Sequence, residues 1–450
     1  MKDYFQLTGR QPSFRRPRSS NSILIMVLLI LLVASLFLRR GVVFTREIKS
    51  PFEPTLVPTR ISSSFALEGE ARFAAGDLKE AIAAYQHATT DDPGNAQLWS
   101  ELARIQAYSS TMMITDDDRR ARLQQSMISI DTAKKLAPDD STVHAVRAFV
   151  LDWNATPVLA GDQSQLLYNE AEQEALEALQ LDKNNTLALA YYAEILVDQQ
   201  KWTQAEQNIQ LALERNEPLM DVYRVNAYVQ ESLGNYNEAI NQYLEAAKIT
   251  PNMTFLYVYI GYNYRQLRLY ADALNYFEKA VNINKQLVVG DPIPYLAIGK
   301  TYTQTGDFFS AALNVRAALK LNPNNPDVYG NLGVVYFKSR NYESAIPALQ
   351  CAVTGCDAKT SCDVRMIGQC TDPNNPAIVI KGMPLSTTTV VYYYTFASVL
   401  AGMNSPTQPQ PYCKDAVPVM KQIREAFAND TTIIGIISPS EEICAAAGYR

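Results

Sequence analysis

Residues 76–95 read GDLKEAIAAYQHATTDDPGN, and related strings return as GNYNEAINQYLEAAKITPNM at 234–253 and GDFFSAALNVRAALKLNPNN at 306–325. Across the three copies Ala81, Ala239 and Ala311 form one column, Tyr85, Tyr243 and Val315 a second, and Ala88, Ala246 and Ala318 a third; Pro93, Pro251 and Pro323 follow. Spacings of four and three residues put each trio on one helix face, and the proline marks where that helix stops. Self-similarity at a fixed period signals stacked units, none of which buries its apolar face alone.

Working outward from these strings adds a second set of columns. The unit around 234–253 carries Tyr223, Asn226, Ala227, Gln230, Ala239, Tyr243, Ala246 and Pro251. The unit around 306–325 carries Tyr295, Ile298, Gly299, Tyr302, Ala311, Val315, Ala318 and Pro323, and the next has Tyr329, Leu332, Gly333, Tyr336, Ala345, Leu349 and Ala352. These lines resemble the tetratricopeptide repeat, a helix-turn-helix unit of about 34 residues. Its pattern places small residues where helices approach closely and aromatics in the space between.

The resemblance, to a membrane-anchored bacterial-type member of that family, implies an all-α fold. The expected architecture is a right-handed solenoid of about nine helix pairs. Units start at 62, 96, 141, 186, 220, 254, 292 and 326, filling 62–357, and a degenerate ninth (Tyr393, Phe396, Ala397, Leu400, then Ala416) occupies 390–450 with a capping helix. Units two and three are each 45 residues long, with their extra residues at the turn between the two helices. Those insertions, 107–119 and 153–165, should lie side by side on one edge; they carry Met112, Met113, Trp153 and Leu159. Two uses are open: packing onto extended second helices, or contact with a partner. Asp116, Asp117 and Asp118 suit the N-terminus of the following helix, where carboxylates complement the dipole.

The N-terminal end has a different character. Residues 1–22 carry Lys2, Arg10, Arg15, Arg16 and Arg18 against Asp3, a basic tail of net charge +4. Residues 23–38 (ILIMVLLILLVASLFL) hold no charge and are followed at once by Arg39 and Arg40. At about 1.5 Å per residue this run, with snorkelling arginines, spans most of a hydrocarbon layer. A single-pass transmembrane anchor over 23–40 is therefore expected; without a small-x-small site, the rival cleavable signal is less favoured. Residues 41–61, with Pro51, Pro54 and Pro58, form a stiff stalk.

All six cysteines lie in the last hundred residues: Cys351, Cys356, Cys362, Cys370, Cys413 and Cys444. An even cluster reads as a disulfide framework in an oxidising compartment, with reduced thiols or a zinc site as alternatives. Cys413 and Cys444 are expected to pair and pin the last helix, read as SPSEEICAAAG with Ser438 as its cap; the other four should pair locally and tie down the irregular insertion 358–389. This framework orients the chain with its N-terminus cytoplasmic and its body extracytoplasmic.

Beyond the tail and anchor, the body holds 33 basic and 45 acidic side chains, which disfavours nucleic acid as a partner. No phosphate-binding, dinucleotide, zinc-protease or serine-hydrolase signature occurs, so neither enzyme activity nor a cofactor or metal is expected. His87 and His144 read as structural. Function then falls to the concave groove. The resemblance implies that positions 2, 5, 9 and 12 of each first helix face it: Glu194, Asp221, Arg224, Tyr228, Glu231, Phe255, Tyr262, Arg265, Lys300, Asp327 and Phe337. Mixed charges with aromatic anchors suit a peptide or partner protein. The basic clamp of the family's co-chaperones is missing, since its first two positions hold Ala66 and Glu70. The expected function is a membrane-anchored interaction scaffold, with a structural subunit of an envelope assembly or export complex as the alternative.

Overall fold

A computed structural model describes residues 21–45, 61–365, 377–404 and 411–449. The chain divides into two units, 1–60 and 61–450. In the first, Asn21–Thr45 form one helix, and its apolar side chains at 23–33 and Leu36 are 46–70% exposed. Side chains are described there only as far as Leu36, and the basic tail and most of the stalk lie outside the described residues. Among the described residues no helix is long and apolar enough to cross a membrane.

The second unit is a run of helical hairpins resembling a tetratricopeptide solenoid. First helices begin at Ser62, Ala96, Ser141, Thr186, Met220, Thr254, Ile293, Pro326 and Val390. Each packs on the second helix of its own hairpin, and that second helix packs on the first helix of the next. Many starts are set by a short polar residue whose side chain accepts a backbone N–H of the first turn. Asn95, Asp140, Asn185 and Asn325 do this for first helices, and Asp77, Asp307 and Asn341 for second helices. The small residue of the repeat pattern has a visible cause. A Cβ on Gly261 would lie 2.4 Å from the Phe277 ring, and one on Gly69 2.5 Å from the Tyr85 ring. The aromatic of the second helix lies directly on the backbone of the first.

The insertions fold inward. In unit two the second helix runs Asp116–Leu136, with three aspartates in its first turn and Thr115, not an aspartate, as the cap. In unit three it runs Ser164–Leu181. Met112, Trp153 and Leu159 pack against the core, and Arg120 Nε donates to the Leu159 carbonyl at 3.2 Å, joining the two insertions.

The array also closes across its own inner face. Asn252, at the end of unit five, donates through Nδ2 to the Ala75 carbonyl of unit one at 2.9 Å. Gly76, at φ +73°, meets the Asn252 backbone there, and a Cβ would sit 2.6 Å from it, so only glycine fits. Asn322, at the end of unit seven, donates to the Ile114 carbonyl of unit two at 2.9 Å.

At the far end Cys413 is bonded to Cys444, and Cys351 to Cys356. Cys362 is also disulfide-bonded, while Cys370 lies outside the described residues. Within the insertion 358–389, residues Ala358–Arg365 are helical and Ile380 pairs antiparallel with Cys356. The terminal helix departs from the expectation that Ser438 caps it. It runs Thr431–Ala446, straight through Pro439. Asp430 is the cap, accepting from the Thr432 and Ile433 N–H groups, and Ser438 Oγ instead bonds the Ile434 carbonyl. The stronger cap lies a full two turns earlier, and tertiary packing of Ile437 and Cys444 overrides the proline.

Candidate functional site

The expectation of an open groove lined by positions 2, 5, 9 and 12 does not hold for units four and five. Glu194, Asp221 and Arg224 are only 2–5% exposed. Arg224 Nη1 and Nη2 each reach a Glu194 oxygen at 2.6 Å, and its Nε donates to Tyr108 Oη at 3.1 Å. Asp221 accepts from Tyr108 Oη and Tyr191 Oη, both at 2.5 Å, and from Arg104 Nη1 at 2.9 Å. Burial works against the Asp221 charge, but Arg104 and the two phenols outweigh it and hold the carboxyl below its usual range. Tyr108 and Arg104 belong to unit two, Glu194 to unit four and Asp221 to unit five. The groove residues of units four and five thus lock onto the inner face of unit two. The Arg224 guanidinium lies 5.5–5.7 Å from the centroids of Tyr108, Phe149 and Trp153, and Phe255 stacks on Tyr108 at 5.9 Å.

What closure leaves is a cavity of about 400 Å³. Its aromatic wall is Trp153, Tyr228, Tyr243, Phe255, Tyr259 and Tyr262, with Leu123, Leu159, Val258 and Ile293 between them. Its charged groups are Arg119, Asp152, Glu194, Asp198, Arg224 and Asp291. Tyr243 stacks on Tyr259 at 5.5 Å, and Tyr259 meets Phe255 and Tyr262 edge-on at 6.1 and 6.2 Å. Two buried polar atoms of the cavity lining have no partner among the described residues: Asp152 Oδ1 and Arg119 Nε. Asp152 is 3% exposed, so an unmatched oxygen there is costly unless something meets it.

The acids of the cavity are perturbed. Burial pushes the Asp152 carboxyl well above its ordinary value, and the Asp198 and Glu194 charges push it further. Burial raises Asp198 to about 6 although Tyr228 Oη donates to it at 2.5 Å. Burial also raises Asp291 to about 6, against the pull of the Ile293 N–H and the Asn284 amide. Several acids held at the edge of ionisation in one cavity mark a candidate site.

Of the sequence-derived residues, Glu194, Arg224, Tyr228, Phe255 and Tyr262 line this cavity. Glu231 is beside it, accepting from Tyr243 Oη at 3.2 Å and Asn263 Nδ2 at 3.0 Å; Arg265 lies over the Tyr262 ring at 4.9 Å. Lys300, Asp327 and Phe337 do not line it. Lys300 is exposed, Asp327 accepts from Tyr392 Oη at 2.6 Å, and Phe337 packs on Tyr342. Asp152, Asp198, Asp291 and Arg119 were missed. Asp152 occupies position 12 of unit three, a groove position by the same rule, so its signal was present; Arg119 and Asp291 lie outside the repeat register. His144 bridges Glu174 Oε2 and the Pro138 carbonyl, both at 2.7 Å, and His87 stacks on Phe65, so neither reaches the cavity.

Models of the tetratricopeptide repeat match residues 67–107, 193–254, 256–287, 299–339 and 326–354. Over those residues the sequence matches tetratricopeptide repeats. Among solved structures, these repeats superpose on a chain of the APC/C hetero-tetramer Cut9–Hcn1 with a TM-score of 0.50 at 14% identity. The match covers 67% of this chain and 53% of that one, so the repeats span about half its length. A tetratricopeptide repeat protein from Parabacteroides merdae matches at TM-score 0.36 and 20% identity, over 61% of this chain and 98% of that one. YrrB, described as a repeat protein with an unusual peptide-binding site, matches at 0.32 and 20%, over 43% and 93%. No curated protein matches the sequence.

Proposed function

We propose that this chain is a membrane-anchored protein-interaction module, without enzymatic activity, that receives a single protruding group of a partner protein in the cavity of its closed inner face. The observation that carries the reading is the unpartnered Asp152 oxygen in an aromatic-walled cavity of about 400 Å³. That volume lies within the range of small-ligand sites and is too small for an extended peptide threading the array. The uncharged run 23–38 and the arginines around it support the anchor. Disulfides at Cys351–Cys356 and Cys413–Cys444 support a body in an oxidising compartment outside the cytoplasm. The envelope-subunit reading gains less support, because the insertions it would use as an outer edge fold into the array.

The test uses the full chain in its own membranes, with a photo-crosslinking residue at Tyr259, which is 39% exposed and lines the cavity. One partner adduct should form and should vanish when Thr156→Trp plugs the exposed rim. An adduct that survives the plug, with crosslinking instead from the exposed Phe309 of the outer face, would remove the cavity from partner binding. Deleting residues 23–38 should release the chain from membranes under alkaline extraction; retention would sink the anchor.

A further inference from the structure

The cavity has two arginines and four carboxylates, and they are not evenly matched. Arg224 is held at both ends by Glu194 and is neutralised as a pair. Arg119 pairs with Asp116 at 3.7 Å and draws down the Asp291 carboxyl, while its Nε is buried without a partner. Against that one cation stand Asp152, Asp198 and Asp291. Asp152, on the first helix of unit three, faces Asp198 and Glu194 of unit four, Arg224 and Tyr228 of unit five and Tyr168 of the second helix of unit three. Among the described residues no arginine or lysine hydrogen-bonds either Asp152 or Asp198. Tyr259, Tyr262 and Trp153 line the same cavity, aromatic surfaces that attract a cation and pack an aliphatic stem.

We infer that the group this cavity takes is a cation on an aliphatic stem, a lysine or arginine side chain of the partner, with its charge on Asp152 and Asp198 and its stem against Tyr259, Tyr262 and Trp153. This rests on the cavity being the recognition site. Burial, and for Asp152 also the charges of Asp198 and Glu194, favours a proton on the pair, whose carboxyls hydrogen-bond each other. An arriving cation removes the reason for that proton, which leaves Asp152 for the solvent. Binding is therefore coupled to proton release, and affinity rises with pH as the pair ionises. A carboxylate or neutral ligand gains nothing from Asp152 and would add a charge or an unmatched oxygen.

The probes are n-butylammonium and n-butylguanidinium, with butyrate and n-butanol as controls, titrated into the full chain in detergent. Trp153 is the reporter, in a chain carrying W99F and W202F; its indole N–H already bonds Glu194 Oε1 at 3.1 Å. Both cations should give a saturable, one-to-one emission change with affinity rising at least tenfold from pH 5.5 to 8. Calorimetry in buffers of different ionisation enthalpy should register the released proton. Asp152→Asn, which keeps the shape of the protonated acid, should weaken the cations at least tenfold and flatten the pH profile. Asp198→Asn serves as the second variant should the first fold poorly. Equal or tighter binding of butyrate or butanol overturns the charge assignment and leaves the cavity as a site. Saturation by none of the four overturns both.

Discussion

Units one to seven and the segment from unit eight onward hold themselves together by different means. The first stretch closes on itself through charged side chains and phenols on its inner face, with Arg104, Tyr108, Asp221, Arg224 and Glu194 as the joint. The second is an apolar block, with Phe396, Leu400, Met420 and Ile437 buried and two described disulfides holding it. A stacked array leaves an unfinished face at its end, and both devices answer that problem. Closure uses polar groups and leaves an aromatic-walled cavity behind; capping uses covalent bonds. The difference teaches that the polar residues of the inner face are chiefly structural, and that recognition is confined to the small part of it that stays unmatched.

The sharpest way to break the comparison is at the joint. Asp221→Ala removes the acceptor of two buried phenols and one of the two carboxylates that Arg104 binds, in one step. Removing one partner of a buried pair costs about 3–5 kcal/mol. Denaturant unfolding of the variant should show a loss of that order, with the far end unfolding separately. A change under 1 kcal/mol would mean that the joint is not what closes the array. For the same reason charge reversal at Arg224 is a test of folding before it is a test of binding.

At the other end the covalent device can be removed. The Cys413–Cys444 bond closes a loop of 31 residues, for which chain entropy gives about 3–4 kcal/mol. Replacing both cysteines by serine should lower the unfolding midpoint of the C-terminal block and free the helix Thr431–Ala446 to exchange its amide protons. The joint, whose nearest member Arg224 precedes Cys413 by 189 residues, should keep its protection. Equal loss of protection at both ends would show one cooperative unit rather than two solutions.

These differences bear on what was legible in the sequence. The hairpins were readable because their cause is local: glycine beneath an aromatic, as at Gly261 and Phe277, repeats at a fixed interval. The candidate cavity was half readable. Position rules pointed at Glu194, Arg224, Tyr228, Phe255 and Tyr262, which face inward, but they could not say that Arg224 would meet Tyr108 of unit two. That contact depends on how tightly the array coils, which sums small rotations over several units and leaves no local trace. Arg119 and Asp291 were invisible for a related reason, since they sit where the repeat is interrupted. The cap of the last helix was misplaced because Pro439 looks like a start when read without the packing of Ile437 and Cys444.

The smallest effect separates the two regions by pH. Asp198 and Asp291 each have a folded pKa of about 6, above the value of roughly 4 for an unfolded aspartate, so the folded state holds its protons more tightly. Stability from such groups is complete below the unfolded pKa and is lost as pH rises through the folded one. Lowering pH from 7.5 to 5.5 should therefore stabilise units one to seven, by about 1 kcal/mol for each of the two acids. Asp221, held below the usual range, acts in the opposite sense, and its contribution fades only at pH below about 4. The melting temperature of the closed region should thus pass through a maximum in mildly acidic buffer. Asp198→Asn should remove its share of the rise, while the disulfide-capped end, which holds none of these acids, stays level. A melting temperature that falls steadily from pH 7.5 would mean that these acids ionise freely, and that the cavity is open to water rather than waiting for a charge.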